Sequence, residues 1–156
     1  MKKFIIILAI FFLDRISKVY LLNLEVAGTE VNFYINSFLN FYLVWNSGIG
    51  FGLVSMEADI YYHILTVIIA LVNVALIYLL VKSKGLYGNL LALIIGGSLG
   101  YLFDRVYYHA VPDFIDFHFA NYHWFIFNIA DIFITLGIIG LLFVELTKKE
   151  KISKNV

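Results

Sequence analysis

Ionisable residues stand where an apolar chain should have none. Asp14, Arg15 and Lys18 interrupt the hydrophobic stretch that follows Met1-Lys2-Lys3, and Asp104 and Arg105 interrupt a later one. Asp131 lies near the start of the last apolar stretch. Burying charge in hydrocarbon is costly, so each of these marks a candidate functional site. Carboxylates gathered at one level of a helical bundle can do acid–base chemistry, one taking a proton from water and another returning a proton to a leaving group. Each residue also has a purely structural explanation. Asp14 and Lys18 are four apart on one helix face and can neutralise each other. Arg105 can extend its side chain to the membrane surface. Asn128 and Asp131 have the three-residue spacing of a helix N-cap and its reciprocal partner. Asp113 fits a solvated loop, and Asp116 reads as a residue of one. The convergence of so many carboxylates favours function over these separate accounts.

Other chemistries find little support. The chain has no Cys, which excludes thiol catalysis, disulfides and Cys-containing zinc sites. The four histidines, His63, His109, His118 and His123, lack the spacing of a helical zinc motif. His109, Asp113 and His118 could in principle reach a metal, but a site needs three or four converging ligands, and neither metal nor cofactor is expected. Lys plus Arg equals Asp plus Glu at 11 each, so the charge balance points to neither nucleic acid nor an acidic partner.

The elements that must position these residues are membrane helices. Of the 156 residues 62% are hydrophobic, more than soluble domains carry. A hydrocarbon core of about 30 Å takes roughly 20 helical residues. Four stretches are long enough, near 4–22, 60–81, 88–108 and 127–147. The first begins like a secretory signal, but Asp14, Arg15 and Lys18 fall where a cleavage region should be small and neutral, so it is expected to remain as a span. A rise of about 1.5 Å per residue puts Asp14 roughly 15 Å from the inner end of its helix and Lys18 about 6 Å further out. The connections 23–59 and 109–126 contain no Lys or Arg, whereas Lys2, Lys3, Lys82, Lys84, Lys148, Lys149, Lys151 and Lys154 flank the other helix ends. By the positive-inside rule both termini are cytoplasmic and both long connections external.

The first external connection is patterned. Val31, Phe33 and Ile35 alternate with other residues, as do Phe41, Leu43 and Trp45, which predicts a small pair of strands at the membrane surface. Asn36-Ser37 and Asn46-Ser47-Gly48 supply turn chemistry. Gly96 and Gly100 have the spacing that lets membrane helices approach closely. Aromatic residues crowd 101–127, as in an interfacial belt. No repeat or domain boundary is visible, so residues 1–156 form one domain. The fold class expected is an all-α membrane protein, four transmembrane helices with a small β cradle on the outer face.

Four blocks, spread over nearly the whole chain, resemble a known family. Asp14-Arg15-Ile16-Ser17-Lys18 is similar to the D-Q-x-[ST]-K block of signal peptidase II, the prolipoprotein signal peptidase. Asn46-Ser47-Gly48-Ile49-Gly50-Phe51-Gly52 resembles its N-x-G-A-A-F-G block. Gly96-Gly97-Ser98-Leu99-Gly100-Tyr101-Leu102-Phe103-Asp104-Arg105 resembles G-G-A-L-G-N-x-x-D-R. Val111-Pro112-Asp113-Phe114, followed by Phe127-Asn128-Ile129-Ala130-Asp131, resembles V-V-D-F and then F-N-x-A-D. One block would be weak evidence; four in order, at matching spacing and topology, are specific.

The resemblance implies a four-span peptidase of the bacterial cytoplasmic membrane, with its active site at the outer face. Such an enzyme removes the signal peptide from lipid-modified prolipoproteins, cutting before a Cys that already bears diacylglycerol. It implies Asp113 and Asp131 as the catalytic pair, with Asp14, Lys18, Asn46, Gly48, Asp104, Arg105 and Asn128 binding substrate or bracing the site. The expected partners are prolipoproteins and membrane lipids, with no nucleic acid, and the enzyme is expected to be a monomer. The chain departs from the family pattern at Arg15 (usually Gln), Pro112 (usually Val), Ile132 (often Ser) and, most consequentially, Tyr101 (usually Asn). A phenol can replace the hydrogen bonds of an amide but is far larger, so Tyr101 is expected to face the site and reshape it.

An aspartic pair also makes chemical sense of these residues. Two close carboxylates sharing one proton titrate as a unit and can serve as base and acid in peptide hydrolysis. Asp131, near a helix N-terminus, is expected to carry the charge, although Asp113 in a flexible connection could equally be the base. Arg105 and Asn46 are candidates to hold the substrate's backbone or lipid head, and an apolar groove between spans would take acyl chains. The competing reading is a small proton- or ion-conducting bundle, or a transporter, built on intramembrane carboxylates. A relay should distribute its charges through the bilayer depth, whereas the span near 60–81 has none before Lys82 and the inner halves of the last two spans are apolar.

Overall fold

A computed structural model describes residues 1–48, 59–119 and 122–153. Ile49 to Gly52 of the second block, Glu57 and Lys154 lie outside the described residues. Four helices account for most of the chain: α1 (Lys2–Val26), α2 (Asp59–Lys82), α3 (Gly85–Tyr108) and α4 (Ile129–Ser153). Three of them contain stretches long and apolar enough to cross a membrane, at Ile60–Lys82, Gly85–Tyr108 and Ile129–Lys148. With 25 residues α1 is as long, but Asp14, Arg15 and Lys18 interrupt its apolar run. The large apolar side chains that α2 and α4 leave exposed, such as Val67, Leu71, Val74, Ile139 and Phe143, suit a lipid surround rather than water.

Helix α3 is the hub, packed against α1, α2 and α4. Its small residues permit this. A Cβ on Gly97 would lie 2.7 Å from the carbonyl oxygen of Ala130 in α4, and one on Gly100 would lie 2.6 Å from Asp14 Oδ2 in α1. Without side chains at these two positions, α3 brings its backbone into direct contact with both neighbours, as small residues do between membrane helices. The seam to α2 includes a polar contact within the spans, where Asn73 Nδ2 donates to Ser98 Oγ at 2.8 Å.

Strands from the two long connections pair in one four-stranded antiparallel sheet, in the order β1 (Asn32–Asn36), β2 (Leu39–Asn46), β3 (Val111–Phe119) and β4 (Tyr122–Phe127). The strand pair expected at 31–45 is present as β1 and β2, turning at Asn36, whose Oδ1 accepts from the backbone N–H of Phe38 at 3.0 Å. The connection 109–126, read from the sequence as a loop with a belt of aromatics, instead contributes the paired antiparallel strands β3 and β4. The fold is therefore mostly helical with a small antiparallel sheet, of four strands where the sequence placed two. Ile115, Phe117 and Phe119 alternating with Asp116 and His118 is a strand pattern that the density of aromatics concealed.

The apolar face of the sheet packs on the ends of α1 and α4. Leu21, Val31, Phe114 and Ile115 are buried there, flanked by Phe33, Phe41, Phe127 and Ile132. Two register irregularities shape the sheet. One extra residue in β2 between Phe41 and Val44 shifts the pairing just before Val44 meets Asp113. One extra residue in β4, between Phe125 and His123, brings His123 opposite His118. Such bulges bend a strand and re-aim its side chains. Helix α3 stops at His109, which adopts a left-handed conformation (φ 59°) and turns the chain into β3.

Candidate active site

The charges inside α1 and α3 meet each other. Asp14, Lys18 and Asp104 are fully buried, and Arg15 and Arg105 nearly so. Lys18 Nζ donates to Asp14 Oδ2 at 2.9 Å and to Asp104 Oδ2 at 2.7 Å. Arg15 Nη2 lies 3.3 Å from Asp14 Oδ2 and also pairs with Asp104 Oδ1. Two carboxylates and two cations thus neutralise one another across the α1–α3 seam. Buried charges persist only when paired and hydrogen-bonded in this way. The same-helix pairing of Asp14 with Lys18 is real but incomplete, because Lys18 also bridges to α3.

Asp14 has a second task. Its Oδ1 accepts the backbone N–H of Ala130 at 3.1 Å, so a side chain of α1 caps the first turn of α4. Amides in that first turn lack partners within the helix and carry its positive dipole, so a carboxylate there is favourable. This fixes the start of α4, where Asn128 and Asp131 sit, against the network of paired charges.

Asp113 and Asp131 are then held by Asn128. Asn128 Nδ2 donates to Asp113 Oδ1 at 2.5 Å, and Asn128 N donates to Asp131 Oδ2 at 2.9 Å. Asn128 Oδ1 in turn accepts from the N–H of Asp131 at 3.2 Å. The reciprocal cap suspected from the spacing of these two residues is therefore present, and it also aims both carboxyl groups. Asn46 Nδ2 donates to the other oxygen of Asp113 at 2.9 Å, while Asn46 Oδ1 accepts from Gly48 N at 3.0 Å. The Tyr101 hydroxyl donates to Asp131 Oδ1 at 2.6 Å, and Lys18 Nζ lies 5.5 Å from the centre of its ring. Tyr101 faces the site.

Asp113 lies in β3 and is almost fully buried. Burial pushes its pKa up to about 7, the charge of Asp131 adds to this, and the hydrogen bond from Asn46 opposes it. A carboxyl group that is half protonated near neutral pH can act as an acid there. Arg105 does not reach for the membrane surface: it is buried, its Nη2 donates to the carbonyl of Gly48, and its own carbonyl accepts from the Tyr62 hydroxyl at 2.6 Å. Its Nε and Nη1 have no hydrogen-bond partner among the described residues. An apolar groove of about 470 Å³ is lined by Tyr20, Leu21, Phe33, Phe41, Phe114 and Ile129 among others.

This arrangement brings together all of Asp14, Lys18, Asn46, Gly48, Asp104, Arg105, Asp113, Asn128 and Asp131 through direct contacts. The Signal peptidase (SPase) II family profile matches residues 6–147. The chain belongs to the signal peptidase II family. It is accordingly a peptidase. The lipoprotein signal peptidase of Pelagibacter ubique is 47% identical over 142 residues, covering 91% of this chain and 86% of that one. That of Anaplasma phagocytophilum is 37% identical over 145 residues, covering 90% of this chain and 89% of that one. In three dimensions the chain is similar to a bacterial membrane enzyme with a TM-score of 0.77 at 26% identity, covering 96% of this chain and 90% of that structure. With three apolar helices of spanning length and this likeness, the chain is a multi-pass membrane protein.

Asp116 corrects the sequence reading. It is fully buried in β3 beside His118 and His123, not solvated in a loop. Tyr62 went unnoticed in the sequence, being one more aromatic in an apolar run. Its ring lies 5.1 Å from the Arg105 guanidinium carbon as well as bonding the Arg105 carbonyl.

Proposed function

We propose that this peptidase removes the signal peptide from lipid-modified prolipoproteins, acting as an aspartic endopeptidase that cuts just before the lipidated Cys. The observation that carries the reading is the double attachment of Asn128, which hydrogen-bonds Asp113 through its side chain and Asp131 through its backbone. Two carboxyl groups held by one residue can divide the work of acid and base.

In the reaction, Asp131 accepts a proton from a water whose oxygen adds to the scissile carbonyl carbon. Protonated Asp113 donates to the carbonyl oxygen as that bond forms. The tetrahedral intermediate then collapses, the C–N bond breaks, and the leaving amine takes up the proton Asp131 received. Asp113 regains its proton from the collapsing hydroxyl, so the pair returns to its starting state. The pKa of about 7 at Asp113 supports its role as acid near neutral pH. The Nε and Nη1 of Arg105, without a partner among the described residues, are suited to the substrate's backbone carbonyls or lipid head. The apolar groove lined by Phe114, next in sequence to Asp113, and by Ile129, next to Asn128, is suited to an acyl chain.

On this reading α1 is the fourth span, its charges being neutralised within the bundle, and both termini face the cytoplasm. The enzyme works as a monomer in the bacterial cytoplasmic membrane, with the sheet and site at the outer face. Purified protein incubated with a diacylated precursor should yield a free signal peptide and a product beginning at the lipidated Cys, identified by mass. An unprocessed precursor, or a cut elsewhere, would overturn the assignment.

A further inference from the structure

The polar face of the sheet carries a cluster the peptidase chemistry does not use. Asp116 and His118 are two apart on β3 and so share a face, whereas Asp113, an odd number of residues away, points to the other. The irregularity in β4 places His123 directly across from His118. His123 Nδ1 lies 2.8 Å from Asp116 Oδ2, and His118 Nδ1 lies 3.5 Å from the same oxygen. One ligand atom from each of the three residues falls within 4.8 Å of the others.

Polar atoms here are left unmatched. His118 is 7% exposed, and its Nδ1 has no hydrogen-bond partner among the described residues. The same holds for Asp116 Oδ1, whose residue is fully buried, and for the side-chain oxygen of Asn40, which pairs with Asp116 across the β2–β3 ladder. Asn40, Asp116 and His123 line a common cleft of about 480 Å³. Buried polar atoms without partners are costly, and those of neighbouring residues call for a shared partner.

We propose that Asp116, His118 and His123 form a site for a divalent transition-metal ion, with zinc the best fit. Two imidazoles and a carboxylate are a borderline-soft ligand set that suits zinc and its neighbours rather than calcium or magnesium. Tetrahedral zinc with bonds of about 2.0 Å needs its ligand atoms about 3.4 Å apart. His123, whose side chain is 56% exposed, has the freedom to close that gap. The Asn40 side-chain oxygen or a water completes the coordination. The ion would clamp the two strands of the β3–β4 hairpin together. That hairpin carries Asp113 near its start and leads directly into Asn128, so occupancy would stiffen the segment that presents the candidate pair.

The test is zinc titration of the full-length protein in detergent, purified without a polyhistidine tag and stripped with a chelator, using a competing chromophoric chelator as reporter. One zinc per chain is expected. His123→Ala, a change at an exposed position, should weaken binding at least about tenfold, and His118→Ala at least as much. His63→Ala, on exposed α2, should leave binding unchanged. Cobalt bound in place of zinc should show visible absorption that is lost in His123→Ala. Absence of stoichiometric zinc binding, or binding unaltered in His123→Ala, would overturn the proposal.

Discussion

The Tyr101 hydroxyl donates a hydrogen bond of 2.6 Å to Asp131 Oδ1. Tyr101 and Asp131 sit on adjacent helices that approach closely because Gly97 leaves room for the backbone of Ala130. Tyr101 stands where the family's third block usually has Asn. Tyr101→Phe removes the bond while keeping the ring, and should lower the cleavage rate about tenfold, the equivalent of about 1.5 kcal/mol for a hydrogen bond to a charged group. Tyr101→Asn should keep substantial activity. A Phe variant as fast as wild type would mean the hydroxyl contributes only packing.

Asp113→Asn and Asp131→Asn should each abolish cleavage of a diacylated precursor, because an amide can neither take up the water's proton nor return one. The double variant should be scarcely worse than either single one, as for residues that act as a unit. An amide oxygen at position 131 can still accept from Asn128 N, so the reciprocal bond at the start of α4 survives in Asp131→Asn and the variant should remain folded. A folded Asp131→Asn enzyme with substantial activity would show that this residue serves only as a cap.

Activity should fall as pH rises through about 7, as the buried Asp113 carboxyl loses its proton. Stability follows the same group. Its folded pKa of about 7 stands above the ordinary value of 3.8, so between them the folded state binds more protons than the unfolded state. The contribution is fully present below about pH 4 and is lost as pH rises to about 7. Asp113→Asn removes the titrating group, so its melting temperature in detergent should fall less than that of wild type between about pH 4 and about pH 8. An equal fall in the variant and the wild type would mean that Asp113 ionises without cost.

Gly97→Ala and Gly100→Ala should destabilise the fold by about 1–3 kcal/mol, the usual cost of overpacking. The neighbours cannot yield easily, since one is the Ala130 backbone and the other is Asp14, which is tied to Lys18 and to Ala130 N. Thermal unfolding in detergent measures this. Wild-type stability in both would show that the α1–α3 and α3–α4 seams are looser than described.

Reporter fusions after Lys84 and after Lys148 should read cytoplasmic, and insertions near Glu30 should read external. An external reading at either fusion would remove α1 as the fourth span.

Much of this was legible in the sequence because membrane burial makes a polar residue conspicuous. Charges at Asp14, Lys18, Asp104 and Arg105 stand out against apolar neighbours, and lysine placement carries a clear side preference. The four blocks specified a family, and period-two alternation specified β1 and β2. The sequence could not say which charges pair, because Lys18 reaching Asp104 depends on the helix crossing that Gly100 allows. Nor could it say that Asp116 is buried. Aromatics serve equally as a membrane belt or as a strand face, so 109–126 has no unambiguous local pattern. Only pairing with β2 gives β3 its backbone partners and decides between the two. The one-residue bulge in β4 was invisible for the same reason. Register is a property of two strands together, and it alone sets His123 opposite His118.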